Sequence, residues 1–152
     1  MTRARKREKA VADITDPSWR DDNATIMALG LRWAAALQAE QNTAAIAAAA
    51  AAYAEARQRK REQGQPAAID QLSQLFDLAP FDEDMLLLAL SSQLSTKPKQ
   101  LTVQVAQTLL GIANNDEALA RLWQRLAPHA PLRRFQFIET AERPVSAATP
   151  LY

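Results

Sequence analysis

His129 is the only histidine in the chain, it stands between Pro128 and Pro131, and there is no cysteine. With no cysteine and no second histidine to support a metal or catalytic role, His129 reads as an ordinary turn residue. Three consecutive carboxylates, Asp82, Glu83 and Asp84, are the residues best placed to hold a divalent cation. They follow Pro80 at the start of an apolar run, where a first helical turn favours carboxylates through the helix dipole with no metal needed, and no metal site is expected. Phosphate chemistry fails in a similar way. A nucleotide cradle needs a glycine-rich turn followed by lysine, and the glycines Gly30, Gly64 and Gly111 are isolated, none in a GxxxxGK setting. The residues point to no catalytic role and no cofactor for this chain.

Recognition is the remaining chemistry. Lys97 and Lys99 precede a segment carrying Gln104 and Gln107, and Arg133 with Arg134 follows later. In a DNA-binding helix the residues that read base edges are flanked by phosphate contacts. The segment from Thr102 to Ala113 offers glutamines but no cation, which disfavours nucleic acid and leaves those six side chains as candidate contacts for a protein. Two aromatic residues with polar neighbours, Trp19 and Tyr53, join them as candidate anchors, since aromatics dominate protein interfaces. Trp33, Phe76, Phe81 and Trp123 lie in apolar patterns and read as core.

The elements that must carry these residues can be read from periodicity. The chain has 152 residues, 48% of them hydrophobic, and its 18 basic and 17 acidic side chains leave a formal charge of +1. That suits one domain with room for extra helices and gives no global field toward nucleic acid or membrane. Residues 1–15 are a basic leader expected to be a solvated tail; no signal-peptide core follows it. The alanine-rich stretch from Thr43 to Ala56 is too weakly apolar, and too closely bracketed by charge, to span a membrane. Cysteine-free and without an export signal, the protein is expected in the cytoplasm.

Asp16, Pro17 and Ser18 start a helix with Ile26, Leu29, Trp33 and Leu37 on one face. A second helix through Ile46 and Tyr53 ends in Arg57, Arg59, Lys60 and Arg61 before Gly64 and Pro66. Two helices over 16–64 are favoured; one unbroken helix is the alternative. Beyond Pro66, Ile69, Leu72, Leu75 and Phe76 mark a short helix, and Met85 to Leu90 form an apolar run suited to a buried helix. Thr102 caps a helix with Val105, Leu109 and Ile112. Asn114 and Glu117 have capping-box spacing before Leu119, Leu122, Trp123 and Leu126. Leu132 to Thr140 alternates in the manner of a half-exposed strand, with a partner strand expected near Thr149 to Tyr152.

The stretch LAPFDEDMLLLAL (78–90), with PAAIDQLSQLFDL (66–78), LTVQVAQTLLGI (101–112) and APLRRFQFIE (130–139) in the same order, resembles the variant winged-helix domain that precedes the ATPase core in bacterial AAA+ proteins, several of them encoded with contractile, phage-tail-like injection systems. Two departures stand out. Ala79 and Asp82 replace the serine cap and reciprocal glutamate common there, and SSQLSTKPKQ is shorter than the usual connection. The resemblance implies a mainly α fold, with an N-terminal helical pair (16–64) packed on a winged-helix-like domain (66–152) that ends in a short β-hairpin, the wing. It also implies an ATPase module downstream that binds ATP and Mg, a hexameric parent, and a role for this domain as an adaptor that engages a cargo, effector or particle protein while the parent loads or remodels the particle. A winged-helix DNA-binding module and a purely structural assembly domain of the ATPase ring are the alternatives.

Overall fold

A computed structural model describes residues 16–39, 42–96, 100–139 and 150–152. The leader and the wing loop of the sequence reading lie outside these residues. Within them the chain is helical, with seven helices in the order α1 (Pro17–Gln38), α2 (Thr43–Glu62), α3 (Ala68–Phe76), α4 (Pro80–Leu94), α5 (Val103–Leu109), α6 (Asp116–Arg125) and α7 (Pro131–Arg134).

The first two helices are separate because each has its own N-cap. The Asp16 carboxylate accepts from the Ser18 N–H at 2.9 Å, and the Asn42 side chain accepts from the Ala45 N–H at 2.8 Å, each satisfying a donor that the helix leaves orphaned. The buried side of α1 is rotated from the expected stripe. Ile26, Gly30 and Ala34, four residues apart, face inward, whereas Leu29, Trp33 and Leu37 flank them half-buried. Small residues occupy the line of closest approach: a Cβ on Gly30 would lie 3.0 Å from Tyr53 Cε2 and 3.2 Å from Leu87 Cδ2. α2 ends at Gly64, whose φ of 70° is the left-handed conformation that glycine adopts without steric cost.

α4 is the central helix. Met85, Leu87 and Leu88 are fully buried, and α1, α5 and α6 contribute Ile26, Ala34, Val103, Ala106, Leu122 and Leu126 to the same cluster. The run is not buried throughout, since Leu86 is half-buried and Leu90 is exposed. Its N-terminus keeps half of a capping box: Ala79 has no acceptor to offer, but the Asp82 carboxylate accepts from the Ala79 N–H at 2.9 Å.

Several expectations fail for local reasons. Leu75 is exposed and Trp123 partly so, because α3 and α6 are each covered on one side only. On α5 the buried residues are Val103 and Ala106, with Val105 turned outward, and the helix stops at Leu109 before Gly111. The cap of α6 is Asn115, one residue later than expected, accepting from the Ala118 N–H at 3.0 Å. The expected strand from Leu132 begins instead as α7: Pro131 supplies helical φ at the first position, and the Ala130 carbonyl accepts from Arg133 and Arg134.

Extended pairing survives only as single contacts. Glu139 and Tyr152 exchange both backbone hydrogen bonds at 3.0 Å, the Leu151 N–H donates to the Leu101 carbonyl at 2.7 Å, and Thr102 bridges antiparallel to Pro150. Residues 150–152 therefore lie between 101–102 and 139. No longer strand forms among the described residues.

Candidate functional site

The face that α3 and α4 turn toward the C-terminal segment is apolar and open. Ile69 and Leu72 of α3, Leu86, Leu90 and Gln93 of α4, Met27 of α1, and Phe137 with Tyr152 line a groove of about 250 Å³. Gln93 and Tyr152 are its polar members. Leu90 is 40% and Tyr152 47% exposed at its rim. The apolar surface continues into a three-ring cluster in which Phe76 meets Phe135 at 4.7 Å and Phe137 at 5.0 Å, with Phe135 still 42% exposed. Small-molecule pockets occupy roughly 300–1,000 Å³ and carry a few convergent polar groups. This groove is smaller and has only Gln93 and Tyr152 as polar side chains, so it suits the anchoring of a few apolar side chains from another protein. Two larger clefts, about 510 and 480 Å³, flank Arg32 on α1 and are lined largely by alanine and other small or neutral side chains.

What holds the groove wall in place is a buried ionic cluster on the other side of α3. Asp70 and Ser73 point away from Ile69 and Leu72, toward α2 and α4. The Asp70 Oδ1 atom accepts from Arg57 and Arg61 of α2, each at 2.5 Å from Nη2, and Arg57 also donates to Glu83 Oε2 at 2.7 Å. Ser73 Oγ donates to Glu83 Oε1 at 2.5 Å. The Arg57 guanidinium lies 5.2 Å from the Tyr53 ring centroid. Burial works against the charge on Arg57, but hydrogen bonds to Glu83 and Asp70 outweigh it and raise its pKa above the ordinary value. Burial also pushes the Tyr53 phenol up to about 12, against partial relief from Arg57.

A second buried carboxylate fixes α6. Asp82 is fully buried; its Oδ1 accepts from Arg125 Nε at 2.9 Å, its Oδ2 accepts from Arg125 Nη2, and Arg125 also donates to the Asp77 carbonyl. The hydrogen bond to Asp82 raises the Arg125 pKa. The acidic trio thus does more than complement a helix dipole: Asp82 binds α6, Glu83 binds α2 and α3, and Asp84 packs beside them. Among the described residues no three His, Cys, Asp or Glu side chains are grouped to hold a metal ion, and no helix is long and apolar enough to cross a membrane.

Two of the sequence-derived contact residues are not at the surface. Trp19 and Tyr53 are buried, not exposed anchors; Trp19 Nε1 donates to the Pro66 carbonyl at 3.1 Å and ties α1 to the start of α3. Their polar sequence neighbours misled because Trp19 is covered by the segment before α3 and Tyr53 lies against Arg57 of the ionic cluster. Arg133 spends a guanidinium N–H on the Leu126 carbonyl, and Arg134 lies over the Phe135 ring. Gln104 is exposed and Gln107 half-exposed on α5, while Lys97 and Lys99 lie outside the described residues. The groove residues Leu90, Phe137 and Tyr152 escaped the sequence reading. The one available signal was Leu90, the last leucine of its run before Ser91, Ser92 and Gln93. No protein-family model, curated protein or solved structure matches the chain.

Proposed function

We propose that this chain is the protein-recognition module of an AAA+ ATPase that loads or remodels a contractile injection system, and that it seats an apolar segment of a cargo or particle protein in the groove between α3, α4 and the C-terminal residues. The observation that carries the recognition role is the open apolar groove rimmed by Leu90 and Tyr152, with Phe135 beside it. The order of elements, apart from the short α7, supports the family part of the reading: a helix, an extended contact at 101–102, the helices α5 and α6, then after α7 extended contacts at 139 and 150–152, with the last segment between the other two. That is the order expected of a winged helix with its hairpin.

The test is a fluorescence titration of this domain against N-terminal segments of toxin-like proteins encoded beside it, with duplex DNA as comparison at low and moderate salt. Peptide binding that resists salt is expected, because burial of apolar surface is not screened, whereas phosphate contacts are. Leu90→Lys should weaken it about tenfold or more while leaving the melting temperature within a few degrees, since Leu90 is already 40% exposed. Steeply salt-dependent DNA binding with no peptide binding would overturn the proposal.

A further inference from the structure

The apolar groove does not end at Leu90. Met27 of α1 and Gln93 of α4 line it, and their next neighbours in sequence, Ala28 and Leu94, line the cleft of about 510 Å³ beside Arg32. Groove and cleft therefore meet across the same two helices and form one track, with Leu94, 64% exposed, beside the junction. The α4 part of the floor, Leu86 to Leu94, is roughly 12 Å long at the helical rise per residue, the length of about eight residues of a partner helix. Phe76 ends α3 four residues before α4 begins, so the three-ring cluster closes the track at the N-terminal end of α4. Arg32 and Leu94 lie at the other end.

The cations stand at the two ends. Among the described residues no charged side chain lines the groove, Arg32 is the one charged side chain lining the adjoining cleft, and Arg134 stands over Phe135 at 5.4 Å from the ring centroid. Arg57, Arg59, Arg61, Arg121 and Arg125 each hold a carboxylate, whereas Arg32 and Arg134 are exposed and form no ion pair among the described residues. Between these ends stands an acid. Glu139 exchanges both backbone hydrogen bonds with Tyr152, and directly opposed residues of an antiparallel pair share a face, which puts the Glu139 side chain at the rim beside Tyr152. An acid in the middle of an occupant would meet Glu139; an acid at either end would meet an arginine.

We propose that the track takes an amphipathic helical segment of another protein, about three turns long, whose apolar stripe fills groove and cleft and whose acidic residues, one at each end of the stripe, pair with Arg32 and Arg134. This occupant rests on the groove being the recognition surface, and it adds the chemistry that the surface selects. The floor is made largely of helix side chains and offers no strand edge, so the occupant must satisfy its own backbone hydrogen bonds, as a helix does. Apolar burial supplies most of the affinity. The exposed arginines set direction and partner choice, because charges at a rim are screened by solvent and act on specificity more than on affinity.

Three fluorescent synthetic helical peptides test it, identical in their stripe of leucines and carrying glutamate, glutamine or lysine at both ends, each titrated against the full chain by anisotropy at low and moderate salt. The glutamate peptide should bind about tenfold tighter than the lysine peptide at low salt, with the glutamine peptide between them and the gap narrowing as salt rises. Arg32→Gln and Arg134→Gln, both at exposed positions, should each remove about threefold of that preference, and the double variant should remove it. Leu90→Asn, which leaves the charge unchanged, should weaken all three peptides alike. Equal affinity for the glutamate and lysine peptides, with Leu90→Asn still weakening both, overturns the acid-flanked occupant and leaves the groove as a recognition surface. Failure of all three to bind also overturns it, and the groove then stands or falls by its own titration. Vesicles of phosphatidylserine in phosphatidylcholine are the control: binding to them that needs Arg32 and Arg134, with no preference among the peptides, would assign the arginines to a lipid surface instead.

Discussion

Replacing Arg57 with methionine is the sharpest test of how this domain is held together. Arg57 is 9% exposed and serves two carboxylates at once, Asp70 at 2.5 Å and Glu83 at 2.7 Å, whose side chains are 5% and 13% exposed. Methionine keeps most of the volume and the helix propensity but strands both acids. Removing one partner of a buried pair costs about 3–5 kcal/mol, chiefly because the surviving charge stays buried. Arg61 remains on Asp70 from a half-exposed position, which places the expected loss near the low end, about 3 kcal/mol. For a chain of this length that corresponds to a fall of roughly 6–12 °C in melting temperature. Circular dichroism melts at fixed pH measure it, and adding Glu83→Gln to the Arg57 variant should recover part of the loss, because one stranded charge is then gone. A loss below about 1 kcal/mol would mean that water reaches the cluster and that it does not fix α3.

Three further outcomes follow from the same geometry. Gly30→Ala should destabilise by about 1–3 kcal/mol, because its Cβ would stand 3.0 Å from Tyr53 Cε2 and 3.2 Å from Leu87 Cδ2; a neutral result in urea unfolding would refute the close approach of α1, α2 and α4. Arg125→Met should cost about 3 kcal/mol or more by leaving the fully buried Asp82 unpaired, and a thermal melt unchanged from wild type would show that α6 is not anchored there. Burial pushes the Asp84 carboxyl up to about 6, so Asp84→Asn should raise the melting temperature near neutral pH and leave it nearly unchanged near pH 4, since the stability that wild type regains on acidification is already present in the variant. Identical pH profiles for the two proteins would contradict that sign.

The helical character was legible from local chemistry. Asp16 and Thr102 cap where their position before apolar periodicity says they should, Gly64 stops α2, and the leucine run supplies the most buried helix. These are short-range effects: a side chain reaching its own backbone, a φ only glycine takes freely, the entropy of alanine. The family resemblance and the function it implies rest on the order of the sequence segments.

What the sequence determined by itself, then, is that this chain makes capped helices around one leucine-rich element. Only the tertiary structure decided which polar and aromatic residues go inside. Along the chain Asp82 and Glu83 read only as first-turn carboxylates and Arg57 as a cation at a helix C-terminus; bringing α2, α3, α4 and α6 together pairs them, and Asp70, with partners distant in sequence. Trp19 and Tyr53 changed from surface candidates to interior residues, and Leu90, Phe137 and Tyr152 became a groove, by the same cause. Burial depends on what a side chain meets across the fold, and a linear pattern records only which side of its own helix it occupies.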